Sequence, residues 1–517
     1  MVAYSPFRVA AFTILVMILV QKIPRLWKLL RTKGFKSILI HKFSRLLLKF
    51  SYFHNQYIKK DRYVKESLQH MFLSTREDPI HVLPENGIKN VMQKIEHWAK
   101  RDMKFQYGGR ISGSVYHGGE EINQIAINAM KYYTFANPLH PDVFPSVRQM
   151  ESELVQVTIN LYHGSNQSCG VLTSGGTESL LLAVLAYREW GKLRGIDEPE
   201  IIAPDTIHAA VDKAAYYFGV TLIKVKVDQT TRKVSPREVR KKISSSTVAI
   251  IASAPNFPNG MIDPLEELGN LAQISNINFH IDACLGGFLL PFMEDAGFPI
   301  EKADFRLNGV TSISCDLHKY GCTPKGVSVL MFSTPELRRL AYFCSPEWTG
   351  GLYVTPTMSG SRPGVLSAGS WAVLMSLGKK GYIEITRTVI KAARFIVEEV
   401  SKIENIKVVG EPELSVLCFD SDSLNIHAIG NAMTKIGGWG ISHVQNPNGI
   451  HYHVTFANAH TAESFVEDLR KAVMEVEIDP EAEHYETAAL YGMVAETQDK
   501  SIVGDISKHF ADCLFTA

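Results

Sequence analysis

Residues 310–330, Val-Thr-Ser-Ile-Ser-Cys-Asp-Leu-His-Lys-Tyr-Gly-Cys-Thr-Pro-Lys-Gly-Val-Ser-Val-Leu, restrict this chain more than any other stretch. Two β-rich apolar runs, 310–314 and 327–332, read as buried strands around a polar loop carrying Asp316, His318, Lys319 and Lys325. Desolvating an ammonium without a partner is costly, so a lysine in such a loop either snorkels to a surface or does chemistry. In the second case it is most often a Schiff-base amine whose surroundings lower its pKa. Two other stretches favour chemistry. Thr173-Ser-Gly-Gly-Thr-Glu-Ser179, followed by an apolar run over 180–185, has the glycines, hydroxyl and helical pattern of an anion site at a helix N-terminus. The plainer reading is a Ser/Thr cap with a glycine turn. Phe279-His-Ile-Asp-Ala-Cys-Leu-Gly-Gly287 follows the strand-like run 248–253, and Asp282 ends a strand, where α/β sheets place ligand-contacting residues. A strand-end turn aspartate is the alternative.

A phosphate cradle, a strand-end aspartate and a later loop lysine, in that order, meet the needs of pyridoxal 5′-phosphate. That cofactor requires an amine for its aldehyde, a carboxylate for its pyridine nitrogen and donors for its phosphate. With these residues the chain resembles the fold-type I enzymes of the group II pyridoxal-phosphate decarboxylase superfamily. Within it, the chain is similar to the sphingosine-1-phosphate lyases from about Gly108 to the C-terminus. That closer likeness rests on Ser112-Gly-Ser-Val-Tyr116, Asn137-Pro-Leu-His-Pro-Asp142, Asp316-Leu-His-Lys-Tyr-Gly321, Pro324-Lys-Gly326, Gly350-Gly-Leu-Tyr353 and Ser359-Gly-Ser-Arg-Pro-Gly364. Several long motifs in one order are specific where any one of them is weak.

The 517 residues exceed one compact core, and the alternation of helical patterns with short β-branched runs from Glu151 to about Ile390 argues a mostly parallel sheet with helices on both faces. The resemblance makes this an α/β fold with a seven-stranded sheet, the fold-type I transferase fold. The expected domains are an anchor and basic segment at 1–60, a helical lead-in at 61–150, a large cofactor-binding domain at 151–390 and a small α+β domain at 391–517. In the last, runs at 408–409, 414–419 and 451–456 read as strands.

Net charge is +1, which gives no case for nucleic acid binding, but it hides an asymmetry: the first acidic residue is Asp61. The apolar run 9–20 covers about two thirds of a ~30 Å hydrocarbon core, and extension to 7–23 with Arg8 and Lys22 snorkelling suits the thinner endoplasmic reticulum bilayer. No Ala-x-Ala cleavage site follows it; the absence of acid and abundance of Arg also suit a mitochondrial presequence. Residues 26–53 interleave Lys and Arg with apolar side chains, as does a helix lying on an anionic membrane or packing on the catalytic domain. The positive charge on the C-terminal side places the bulk of the protein in the cytosol, single-pass, with the sequon Asn166-Gln-Ser168 unglycosylated. Seven scattered cysteines without a CxxC or Cys/His spacing indicate a reducing compartment and no metal site.

The resemblance implies roles for particular residues. Lys319 carries the cofactor aldehyde, Asp282 pairs with the pyridine nitrogen and His208 stacks on the ring, although read alone His208 suits a helix cap. Cys284 lies under the opposite face. Gly175, Gly176 and Thr177 bind the cofactor phosphate, with Asn137 and His318 completing the cofactor site. Tyr116, His140, Lys325 and Arg362 surround the substrate phosphate. The implied reaction is a retro-aldol cleavage of the C2–C3 bond of a phosphorylated long-chain sphingoid base, releasing a fatty aldehyde and phosphoethanolamine. The implied assembly is a homodimer with residues 350–353 reaching the neighbour's cofactor. Cys322 stands where lyase relatives carry an aromatic residue. An amino-acid decarboxylase on the same fold, or a membrane-tethered binder without turnover, are the competing readings.

Overall fold

The computed structural model describes residues 90–106 and 109–479, with isolated positions outside them. The chain divides into two compact units, residues 1–99 with 486–517 and residues 100–485. The apolar run 9–20, the basic stretch 26–53 and Cys513 lie outside the described residues. Among the described residues no helix is long and apolar enough to cross a membrane.

The helices and strands follow in chain order as α1 (Val91–Gln106), α2 (Glu120–Met130), α3 (Pro145–Leu161), β1 (Cys169–Thr173), α4 (Gly176–Lys192), β2 (Glu200–Pro204), α5 (Ala210–Phe218), β3 (Thr221–Val225), α6 (Pro236–Arg240), β4 (Thr247–Ser253), α7 (Leu265–Ile274), β5 (Asn278–Asp282), β6 (Val310–Cys315) and β7 (Ser328–Phe332). These seven strands form one sheet in the order β1-β7-β6-β5-β4-β2-β3. Neighbours from β6 to β3 are parallel, and β7 runs antiparallel to both β1 and β6. Strands β4 and β5 are buried at every position, as befits central parallel strands covered on both faces. The parallel arrangement puts the C-terminal ends of β4, β5 and β6 on one edge. The antiparallel turn into β7 keeps the loop bearing Lys319 on that same edge.

Beyond α8 (Pro335–Arg339) and the short pair β8 (Phe343–Ser345) and β9 (Tyr353–Thr355), helix α9 (Gly364–Val400) crosses the domain boundary expected at 390. It is interrupted at Gly378, whose backbone is non-helical. A four-stranded antiparallel sheet follows, built from β10 (Lys407–Val408), β11 (Val416–Asp420), β12 (Ser442–Val444) and β13 (Gly449–His453) in the order β10-β11-β13-β12. It packs with α10 (Ile426–Gly437) and α11 (Ala462–Ile478), and its core stacks Tyr452 on Phe465 with Trp439 edge-on.

The loop after β4 joins the two sheets. Gly260 there has φ 76°, and a Cβ on it would stand 2.1 Å from the Val416 carbonyl oxygen. Gly260→Ala thus combines left-handed strain with a backbone clash, and the expected loss of unfolding free energy is roughly 2–4 kcal/mol. Denaturant titration reads it, and a loss below ~0.5 kcal/mol, the range of an indifferent surface change, contradicts the close packing.

Candidate active site

A cavity of about 370 Å³ opens where β1, β4, β5 and β6 end. Its lining includes Gly175, Gly176, Thr177, His208, Phe257, Asp282, Cys284, Asp316, His318 and Lys319. Eight of the nine expected cofactor residues, all but Asn137, reach it from distant parts of the chain through the sheet edge, and Gly175, Gly176 and Thr177 form one wall of it.

That wall is the β1–α4 junction. Gly175 adopts φ 152° and ψ 169°, a region reserved for glycine, and turns the backbone into α4. A Cβ at Gly176 would lie 2.6 Å from Cys284 Sγ and 3.0 Å from both Asp316 oxygens, so the missing side chain keeps the cavity open. Behind the turn, Thr173 Oγ1, Ser179 Oγ and Ser328 Oγ form a hydroxyl chain at 2.7 and 2.9 Å that locks β1, α4 and β7 together. The first turn of α4 lines the cavity here, and the sign of its dipole favours an anion.

On the opposite side, Asp282 closes β5. Its Oδ1 accepts the Cys284 N–H at 3.1 Å and the Ser314 hydroxyl at 3.3 Å. Ser314 Oγ also meets His280 Nε2 at 3.1 Å, and His280 Nδ1 meets Ser312 Oγ at 2.6 Å. Burial drops the His280 pKa to about 4 against the pull of Asp282, so the ring is neutral. His280 lies two residues before Asp282 on the same strand face, the period-2 signal from which its support could be read.

Lys319 Nζ sits 2.9 Å from Asp316 Oδ2, and His318 Nε2 is 3.5 Å from the same oxygen. Asp316 is buried, and its Oδ1 has no hydrogen-bond partner. Burial pulls the Lys319 pKa down, but the Asp316 carboxylate, with Cys284 and Tyr116, outweighs it, and the amine is held above the ordinary lysine range. This corrects the expectation of a lowered amine: the deciding carboxylate is three residues upstream in the same loop. His208 both caps a helix and lines the cavity. Its Nδ1 accepts the Ala210 N–H at 3.1 Å, as a cap does, and its ring lines the cavity beside Phe257.

The residues expected around the substrate phosphate separate. Tyr116, Lys325, His318 and Cys322 line a neighbouring cavity of about 430 Å³, with Lys325 Nζ 4.5 Å from the Tyr116 ring centroid. Asn137, His140 and Arg362 line neither cavity. The Arg362 guanidinium makes a two-bond pair with Glu151, both bonds at 2.8 Å, and Asn137 Oδ1 accepts the Leu139 and Arg362 N–H groups. Arg362 is thus a neutralised strut within this chain rather than a cation facing the cavity. Asn137 likewise braces the chain at this point. His140 is exposed. Phe257 and Asp316 are cavity residues to which sequence reasoning gave no role.

The donor set fits pyridoxal phosphate. Helix N–H groups suit its phosphate, Asp282 its ring nitrogen and Lys319 its aldehyde, in a space that a methyl group on Gly176 would invade and beside an Asp316 oxygen that lacks a donor. Fold and site together define a pyridoxal-phosphate-dependent enzyme, and residues 61–422 match the family model described as the pyridoxal-dependent decarboxylase conserved domain. Sphingosine-1-phosphate lyase 1 of Rattus norvegicus is 42% identical over 450 residues, 86% of this chain and 79% of that one. The Saccharomyces cerevisiae sphingosine-1-phosphate lyase is 41% identical over 442 residues, 84% and 75% of the two chains. A solved sphingosine-1-phosphate lyase from Burkholderia pseudomallei superposes with a TM-score of 0.76 at 36% identity, covering 81% of this chain and 97% of that one. The chain belongs to the sphingosine-1-phosphate lyase family, within the pyridoxal-dependent decarboxylases.

Proposed function

We propose that this protein cleaves phosphorylated long-chain sphingoid bases to a fatty aldehyde and phosphoethanolamine. Bound pyridoxal phosphate supplies an aldehyde for the substrate amine and a ring that withdraws electrons from the bond to be broken. The protein's own groups set that up. Lys319 Nζ is the amine that would hold the aldehyde, with the Asp316 carboxylate 2.9 Å away. Asp282, anchored by the Cys284 N–H and the Ser314 hydroxyl, would hold a proton on the ring nitrogen. His208 and Phe257 wall the cavity on one side and Cys284 on another.

The observation that carries the choice of substrate is Lys325. Its amine donates to the His318 carbonyl at 3.1 Å and lies over Tyr116, and among the described residues it has no carboxylate ion pair. A cation without a carboxylate partner beside a phenol, six residues along the loop from the reactive amine, suits a second phosphate, which an amino-acid decarboxylase does not need. Incubation of purified protein with sphinganine 1-phosphate or with glutamate tests this directly. Aldehyde release from the first supports the proposal, and carbon dioxide from the second without aldehyde overturns it.

Lys325 reaches solvent, but partial desolvation, with Lys319 adding repulsion, lowers its pKa to about 8. The side chain is cationic below that pH and neutral above it, so kcat/KM for the phosphorylated substrate is expected to fall as pH rises through about 8, approaching ~10-fold per pH unit. Lys325→Met removes that limb of the profile and raises KM at neutral pH. An unchanged alkaline limb in the variant counts against phosphate binding by Lys325.

We further propose that the protein acts at the endoplasmic reticulum membrane through residues 1–60, with the catalytic unit in the cytosol, because the substrate's alkyl chain resides in a bilayer. The apolar run 9–20 and the lysines and arginines after it support this. Removing residues 1–60 is expected to abolish membrane flotation while leaving turnover of a short-chain analogue intact; loss of that turnover sinks a purely anchoring role. Trp348, Leu352, Val354 and Met358 are all exposed in the segment around β8 and β9, which supports a homodimer covering them. Sedimentation of the detergent-solubilised protein as a monomer overturns it.

A further inference from the structure

Glu178, third residue of α4, carries a buried carboxylate whose two oxygens serve different parts of the chain. Oε2 accepts the Ser174 N–H at 2.6 Å, inside the phosphate cradle. Oε1 accepts the Met358 N–H at 2.8 Å, from a segment 180 residues further on. The first bond has the form of a capping box, in which a glutamate in the first turn reaches back to N–H groups ahead of its helix. A cap has no use for the second.

Met358 lies between β9 and α9, and the rest of this connection is held elsewhere. Thr357 Oγ1 donates to the Ser359 carbonyl at 3.0 Å, Ser361 Oγ accepts from Asn137 at 3.0 Å, and Arg362 pairs with Glu151 on α3. Among the described hydrogen bonds, the one from Met358 to Glu178 is what ties this connection to the cradle. We propose that Glu178 is a positioning residue that fastens residues 356–363 to the cradle, so that cofactor binding and ordering of this segment are coupled. The inference rests on pyridoxal phosphate occupying the cradle.

The physical link is short. A phosphate held by the N–H groups of the α4 turn fixes the peptide plane of Ser174 and, through it, the Glu178 carboxylate. Its other oxygen then fixes Met358 by accepting its N–H at 2.8 Å. Coupling of this kind is reciprocal: if the cofactor orders the segment, an ordered segment tightens the cofactor by the same factor.

Two variants test it. Glu178→Gln keeps the shape but leaves one acceptor oxygen in place of two, and Glu178→Asp keeps the charge but is one methylene short of reaching both partners. Hydrogen–deuterium exchange over 356–363 is measured with and without pyridoxal phosphate, beside the cofactor dissociation constant from absorbance. Both variants are expected to exchange roughly 10-fold faster in this segment when loaded and to bind the cofactor roughly 10-fold more weakly, with exchange in β4 and β5 unchanged. Wild-type cofactor affinity in both variants overturns the coupling. So does weaker binding with unaltered exchange over 356–363, because Glu178 is then a cap and nothing more. A wild-type chain that binds no pyridoxal phosphate overturns the reading of the site instead. The fastening is then decided by exchange over 356–363 in the cofactor-free chain, faster in both variants if it stands and unchanged if it falls.

Discussion

Turnover of a long-chain base phosphate falls by roughly 10⁴-fold when Lys319 is replaced by alanine, and borohydride no longer fixes cofactor to the chain. The loss has two parts that a single variant confounds. Removing the amine deletes the group that holds the cofactor aldehyde. It also strands the buried Asp316 carboxylate, which already has one oxygen without a partner and has its other oxygen 2.9 Å from Lys319 Nζ. An unpaired buried charge costs about 3–5 kcal/mol, so the alanine variant is expected to unfold more easily as well. Lys319→Arg separates the two effects. A guanidinium still pairs with Asp316 and restores the unfolding temperature, yet it cannot take up the aldehyde, and turnover stays near that of the alanine variant. More than a tenth of wild-type activity in either variant refutes the assignment of this amine.

Much of this site was legible before any coordinates, for physical reasons that apply to some residues and not to others. The cradle, Asp282 and Lys319 each sit at a strand end beside a run of β-branched residues, and parallel strands bring such ends to one edge whatever the loops do. Sequence order therefore carried the three-dimensional arrangement. Charge compensation was not legible in the same way. Glu151 lies 211 residues from Arg362, and no local pattern marks the pair that removes this arginine from the set of free cations. The rise in the Lys319 pKa depends on the loop folding back so that Asp316 faces it, and spacing alone allowed the opposite sign. In the small domain, β11 and β13 stood out as apolar runs. Strand β12 (Ser442–Val444), with a serine and a histidine among its three residues, has too little apolar content to announce itself. The boundary expected at 390 fell inside α9 because a helix that packs on both parts of a molecule shows no change of composition where its neighbours change.

Asp282→Asn is expected to lower kcat by about 10²–10³-fold while leaving cofactor bound, which separates electronics from architecture. The hydrogen bonds that position Asp282 come from the Cys284 N–H and the Ser314 hydroxyl, and an asparagine amide oxygen accepts both as a carboxylate oxygen does. The variant therefore keeps the side chain in place and loses only its negative charge. The next group along the contact chain does not replace that charge. His280, the next titratable group along the contact chain, is neutral at physiological pH because burial holds its pKa near 4. Protonation of the pyridine nitrogen then has no counter-charge, and the ring draws electrons less strongly from the bond being cleaved. Ser314→Ala is the counterpart: it removes one positioning bond, keeps the charge and is expected to cost under ~10-fold, in line with the loss of a single hydrogen bond. Absorbance spectra and single-turnover rates with saturating cofactor distinguish the cases. A kcat for Asp282→Asn within threefold of wild type refutes the electronic role, and equal losses in the two variants reduce Asp282 to a structural acceptor.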